Sequence, residues 1–108
     1  MATIFILNCD NGENSVIEIE FSYKRELVPK NPNKENSQHH IRPIATRATI
    51  KEDHEFVSAG IVYCYYKDQF EYAKGRKYAL TKALEGLKYS KNERNQIWEN
   101  VKQTTKIA

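Results

Sequence analysis

The stretch that decides the fold runs from residue 64 to residue 84, "CYYKDQFEYAKGRKYALTKAL". It opens on the end of an apolar, tyrosine-rich run, crosses a short polar break, and continues with helical spacing. Asp68-Gln69-Phe70-Glu71 has the form of a capping box, an acceptor at the cap and a carboxylate three residues on. This predicts a helix over 67–88 with a core stripe of Phe70, Ala73, Lys77, Leu80, Leu84 and Leu87, in steps of three and four. Lys77 is the odd member, and its stem can lie along the apolar surface with the ammonium outward. A second strip, Tyr72, Gly75, Ala79, Ala83 and Gly86, lies roughly 120° around the same helix. Glycine inside a helix costs about 1 kcal/mol relative to alanine, so Gly75 implies a close neighbour. The closing helix with Trp98 is the expected one, and a partner protein is the alternative. Arg76 falls between the two stripes, at a seam, where a guanidinium needs carbonyls, a carboxylate or a partner's anion around it.

Downstream, Ser90-Lys91-Asn92-Glu93 is a second capping box. It starts a helix over 91–103 bearing Ile97, Trp98 and Val101, and the tail "TTKIA" reads as frayed. Upstream, "FVSAGIVYCYY" is the strongest strand of the chain. It is apolar on both sides and is expected at the centre of a sheet, with Gly60 marking a bulge or a close approach. "IATRATIKE" reads as another strand, with Ile44, Thr46, Ala48 and Ile50 on one face, and "EDHE" as the turn between the two. Further back, Ile17, Ile19, Phe21 and Tyr23 alternate with Glu18, Glu20 and Ser22, the period of a strand with one wet face. This strand is expected to form a hairpin with "TIFILNC" across Asn11-Gly12. Between the strand ending at Tyr23 and the one starting at Ile44, "ELVPKNPNKENSQHHIR" carries two of the chain's three prolines and little that is apolar, which predicts a long exposed loop over 26–42. The expected fold is α+β: one domain, 1–108, with an antiparallel sheet of about four strands followed by two C-terminal α-helices packed on one face.

Charge is laid down in blocks. Residues 1–23 carry four acids and no Lys or Arg, 24–51 seven bases and two acids, 52–66 three acids and no base, and 67–108 ten bases and five acids. Such polarity suits either docking on a charged surface or attraction between the blocks within the fold. No apolar run approaches the roughly 20 residues of a membrane helix, and no export signal is read at the N-terminus. Cys9 and Cys64 lie in strand-like stretches and read as small buried side chains of a reducing compartment rather than a disulfide framework. The host cytoplasm is the expected location.

The residues give little footing for catalysis. There is no G-x-S-x-G, no Cys/His/Asn signature and no phosphate-cradling glycine loop. His39-His40 and His54 lack metal-ligand spacing. The expectation is a protein that is not an enzyme, with no metal and no cofactor.

The segment Cys64, Lys67-Asp68, Phe70, Gly75-Arg76, Ala79-Leu80 and Ala83-Leu84, together with Trp98, resembles a recurrent segment of small bacteriophage proteins. In these, a strand ending near a Cys leads into a K-D-x-F…G-R-x-x-A…A-L helix. The resemblance covers roughly residues 57–101, and Lys82 stands where an arginine is common. It implies a phage-encoded protein that acts in the host cytoplasm by binding a host protein or nucleoprotein complex, most concretely as an inhibitor of a CRISPR nuclease. The partner-binding residues expected are Glu18, Glu20, Lys74, Arg76, Tyr78 and Lys82, with the 26–42 loop. The acidic pair could imitate DNA phosphates, or the basic helix face could grip an acidic partner. The alternative is a nucleic-acid-binding regulator that uses the basic, tyrosine-rich helix face. Monomer and homodimer are both compatible with the sequence.

Overall fold

The computed structural model describes residues 2–29, 38–64 and 69–106. Strand β1 spans Ala2–Asn8, β2 Asn14–Pro29, β3 His39–Glu52 and β4 Glu55–Tyr63; helix α1 spans Tyr72–Glu85 and α2 Lys91–Lys106. The four strands form one antiparallel sheet in the order β1-β2-β3-β4, and both helices lie on one face of it, α1 over β3 and β4 and α2 against β1. This is the expected α+β architecture.

The expected turns hold for identifiable reasons. Gly12 takes φ +87° between β1 and β2, where an L side chain is disfavoured. The Asn11 side chain accepts the Glu13 N–H at 2.9 Å. Between β3 and β4 the turn is Asp53-His54, with φ 51° and 71°, the positive pair a two-residue hairpin turn of type I′ requires. Asp53 tolerates this because it is clamped to β2: its N–H donates to the Val16 carbonyl at 2.8 Å and its carboxylate accepts the Val16 N–H at 2.9 Å.

Four expectations are corrected, three of them in the bounds and order of the elements. First, β4 is an edge strand, not the central one. Its apolar side chains on the second face are exposed: Phe56 at 60%, Ile61 at 39% and Tyr63 at 64%. Second, the described ends of the loop expected over 26–42, residues 26–29 and 39–42, are strand. Glu26 pairs with Arg42, Leu27 with Ile41 and Pro29 with His39. Pro29 and Pro43 are accommodated because, among the described residues, this ribbon has no further strand on either side at that level, so a missing N–H breaks no inner ladder. Residues 30–37 lie outside the described residues.

Third, α1 begins at Tyr72 rather than residue 67 and ends at Glu85 rather than 88. The expected cap, Asp68, lies outside the described residues. Glu71 is the residue before the helix, extended at φ −119° and ψ 116°, with no side-chain cap bond. Phe70 is instead held in a cluster of edge-to-face rings with Tyr23 and Tyr72, at centroid distances of 6.3 and 5.0 Å. At the other end the Ser58 hydroxyl donates to the Ala83 carbonyl at 2.7 Å, and the Leu87 N–H turns to Leu84 at 3.0 Å, which closes the helix. Helix α2 starts at the predicted box: the Glu93 N–H donates to Ser90 Oγ at 3.1 Å and the Ser90 N–H to Glu93 Oε1 at 2.8 Å. It runs three residues beyond the expected 103, and Thr104 Oγ1 donates to the Asn100 carbonyl at 3.1 Å.

The core is a single cluster of Leu7, Ile17, Ile19, Phe21, Ala48 and Ile50 from the sheet with Ala79, Leu80, Ala83, Leu84, Ile97 and Val101 from the helices. Here the assignment of the α1 faces is also corrected. The small strip meets the sheet, not the closing helix. A Cβ on Gly60 of β4 would land on the Ala79 carbonyl oxygen and 2.5 Å from the Ala83 nitrogen, and a Cβ on Gly75 would land on Thr46 Oγ1. Strand and helix backbones therefore touch, with a glycine on each side. Leu80 and Leu84 are fully or nearly buried as expected, whereas Ala73 and Lys77 are exposed.

Candidate partner-binding site

The sheet has a covered face and an open face. Alternation along β2 sends Ile17, Ile19 and Phe21 under the helices and Glu18 and Glu20 to the other side. The open face is organised in cross-strand rows. One row runs Ile4, Glu18, Lys51, Phe56 across all four strands; the next runs Ala2, Glu20, Thr49, Ala59; another runs Ser22, Arg47, Ile61. Ile4 and Ile6 are 66% and 63% exposed. The acids of β2 thus stand beside the bases of β3, with apolar side chains along both outer strands.

The helix residues expected to bind lie elsewhere. Lys74, Tyr78 and Lys82 are all exposed and follow one another at i, i+4 and i+8 on α1. Lys82 flanks β4, since its Cβ lies 2.8 Å from where a Gly60 Cβ would sit. Lys74 and Tyr78 border a cleft of about 490 Å3 between the start of α1 and the end of β4, which Thr46, Tyr63, Cys64 and Phe70 also line. Thr46 is fully buried and, among the described residues, its Oγ1 has no hydrogen-bond partner.

Arg76 points to the other flank of α1. It is half-buried and donates from Nη1 to the Tyr23 hydroxyl at 3.2 Å. With Ala73, Lys77, Trp98, Val101 and Lys102 it lines a groove of about 370 Å3 between the two helices. The predicted position at a seam is therefore found, and its partner is a phenol rather than a carboxylate. The six expected residues fall into three groups: Glu18 and Glu20 on the open face, Lys74, Tyr78 and Lys82 on the β4 flank of α1, and Arg76 on its α2 flank.

The described ends of the expected 26–42 loop form a two-stranded ribbon. Among the described residues β1 pairs with β2 as far as Glu20 and β4 pairs with β3 from Ala45 onward, so residues 25–29 and 39–43 pair there with each other alone. The molecule measures 60 × 27 × 22 Å. Leu27 and Ile41 face each other across this ribbon at 64% and 69% exposure. Lys24 and Glu26 form an ion pair at 3.3 Å.

The groups with displaced pKa lie where α2 meets the sheet. The Asp10 carboxyl is held below its ordinary value by hydrogen bonds from Ser90 and then Asn92. The Tyr89 phenol is pushed well above its ordinary value by burial first and by the Glu52 carboxylate beside it, whose Oε2 accepts its proton at 3.4 Å. Gln96 completes this junction by exchanging two hydrogen bonds of 2.9 Å with the Asn8 backbone. These contacts dock α2 on the β1–β2 hairpin and account for the shifts structurally.

Cys9 and Cys64 form no disulfide. Among the described residues no group of three or more His, Cys, Asp or Glu side chains is gathered as metal ligands, and no helix is long and apolar enough to cross a membrane. Compared with protein-family models, curated proteins and solved structures, the chain finds no match. Sequence reasoning missed the charge balance of the open face. The signal was there in Arg47 and Lys51, but only the β2–β3 register sets them beside Glu18 and Glu20.

Proposed function

We propose that this chain is a phage-encoded binding protein, not a catalyst, that disables a host defence effector in the host cytoplasm, most concretely a CRISPR nuclease complex. The resemblance of residues 57–101 to small phage proteins supplies the class of target. The observation that carries the mode of binding is the difference between the two charged surfaces. Glu18 and Glu20 have Lys51 and Arg47 in their own rows or the next, so the face is poorly suited to imitate a run of phosphates. Lys74, Tyr78 and Lys82 form an exposed basic stripe, with Glu71 and Glu85 only at its ends. That stripe, beside a cleft and a projecting ribbon, suits an acidic partner surface or the nucleic acid of a nucleoprotein.

Pull-down from host lysate with and without nuclease treatment tests this. Capture of a defence protein that survives nuclease treatment and is lost with K74E/K82E supports it. Failure to protect incoming phage or plasmid DNA across a panel of CRISPR and restriction hosts rejects it. The second reading, a nucleic-acid-binding regulator, is favoured by the tyrosine set between lysines on the same stripe. It requires direct affinity for nucleic acid that falls steeply with salt, and absence of binding at low salt removes it.

A further inference from the structure

The open face of the sheet is patterned for a second copy of itself. Its longest row reads apolar, acid, base, apolar: Ile4, Glu18, Lys51, Phe56. Consider a two-fold axis parallel to the strands, between β2 and β3, with two such faces stacked. The rotation sets β2 over the partner's β3 and β1 over the partner's β4. Glu18 then stands over the partner subunit's Lys51, and Ile4 over the partner subunit's Phe56. Glu20 meets the row of the partner's Thr49, next to the partner's Arg47. A row that reads acid-then-base between apolar ends is its own complement under this rotation and under no shift by one strand.

We propose that the chain forms an isologous face-to-face homodimer through the open sheet face, with Glu18 and Lys51 crossing the interface in two symmetric pairs and Ile4, Ile6, Phe56 and Ile61 closing its margins. This rests on the uncovered face alone and is independent of the α1 stripe used above, which lies on the opposite side of the sheet. Two stacked sheets with interdigitated inner faces are a stable way to bury exposed Ile and Phe. The area fits a reversible dimer. Four strands of about seven residues cover a patch roughly 19 Å by 23 Å, roughly 870 Å2 for the two partners together, below the about 1,200 Å2 at which standard specific interfaces begin and in the range of weak, reversible ones. Association in the micromolar range is expected.

The test exploits the symmetry. Glu18 and Lys51 are also cross-strand neighbours within one chain, so single reversals must be separated from that local contact. E18K alone places Lys over the partner's Lys51, and K51E alone places Glu over the partner's Glu18. Both are expected to weaken self-association at least tenfold in sedimentation velocity, with unchanged circular dichroism as the check on folding. Mixing the two variants restores both crossing pairs while leaving the local pair broken in each chain. An equimolar mixture is therefore expected to sediment near twice the 12.6 kDa chain mass at concentrations where each variant alone stays monomeric. A wild-type chain that remains monomeric at about 300 µM, a dimer indifferent to E18K, or a mixture no tighter than its components overturns the proposal. Dimerisation that persists in both variants would point to pairing through the β4 edge, which also overturns it.

Discussion

The two faces of this sheet are built from the same strands, yet they obey different rules. Leu7 is fully buried and its neighbour Ile6 is 63% exposed. Ile19 lies in the core and Glu20 in solvent, paired with Ala2 and Thr49. On the covered face, fit is settled to the atom: Gly60 touches helix backbone, Ser58 bonds to a helix carbonyl, and Gly75 leaves room for Thr46. On the open face, side chains are constrained mainly by their cross-strand neighbours. Mutational cost should therefore separate by face rather than by strand or by residue type.

The sharpest way to break that comparison is Gly60→Ala. A methyl group there meets the Ala79 carbonyl and the Ala83 nitrogen, both backbone, so the helix must lift off the sheet. A loss of about 3 kcal/mol or more is expected, at the upper end of overpacking effects. Gly75→Ala is the control for the same interface. Its methyl meets the Thr46 side chain rather than backbone, and it gains about 1 kcal/mol of helix propensity, so the net loss should be clearly smaller. Chemical denaturation of the two variants decides it; equal losses would mean that α1 is not seated on β4 as described.

Next in size is Ser90→Ala, which removes one arm of the α2 capping box and is expected to lower stability by about 1 kcal/mol. It should also return the Asp10 carboxyl toward its ordinary value, because the hydrogen bond from Ser90 is the main cause of the depression. The sign follows. A carboxyl with a lowered folded-state pKa contributes stability above its unfolded value, lost as the pH falls through the folded value. Ser90→Ala should therefore flatten the acid side of the stability profile below about pH 4.

Tyr89 gives the opposite sign at the same junction. Its phenol titrates higher in the folded chain than in the unfolded one, through burial and then the Glu52 carboxylate. The contribution is fully present below about pH 10 and is lost as the pH rises beyond the unfolded value. Thermal melts of wild type and Tyr89→Phe between pH 8 and 11, taken as about the accessible alkaline range, should converge as the pH rises, because only wild type loses this term. Parallel curves would show that the phenol is as free in the folded chain as in the unfolded one.

The covered face was far more legible in the sequence than the open one. Period-two apolar positions named Ile17, Ile19, Phe21, Ala48 and Ile50, helical spacing named Leu80 and Leu84, and the Ser90 box named the start of α2. Each is a local pattern with a local cause. The errors came where a pattern has two solutions. An all-apolar strand such as residues 56–63 reads as central, but it also describes an edge strand whose second face is left open. A polar, proline-bearing segment reads as loop, but between two edges it is also a permissible ribbon. The small strip of α1 predicted a close neighbour correctly and misassigned it, because Gly60 supplies the matching gap across sequence and no periodicity within the helix announces it. Of the expected site residues Glu20, Lys74, Tyr78 and Lys82 are exposed, Glu18 is half-buried and Arg76 lies at a seam, but the setting of the acids beside bases depended on β2–β3 register, which no segment carries alone.

The smallest effect is the most discriminating. Ile6→Thr removes an apolar side chain from the open face while keeping a β-branched residue suited to a strand. Measured on dilute protein, where the chain is monomeric, stability should move by no more than about 0.5 kcal/mol. Leu7→Ala, one residue along and facing the core, should cost about 3 kcal/mol. Measured on concentrated protein, Ile6→Thr should no longer be neutral, because a dimer that buries this face adds a stability that grows with concentration. The quantity to follow is thus the concentration dependence of the melting temperature. Wild type should melt higher as its concentration rises, and Ile6→Thr should show a weaker rise from the same dilute starting point. A substitution neutral at both ends would leave the open face without an occupant of its own kind. A loss equal at both ends would mean that Ile6 is packed within the single chain and that the division between the two faces is less complete than their exposures indicate.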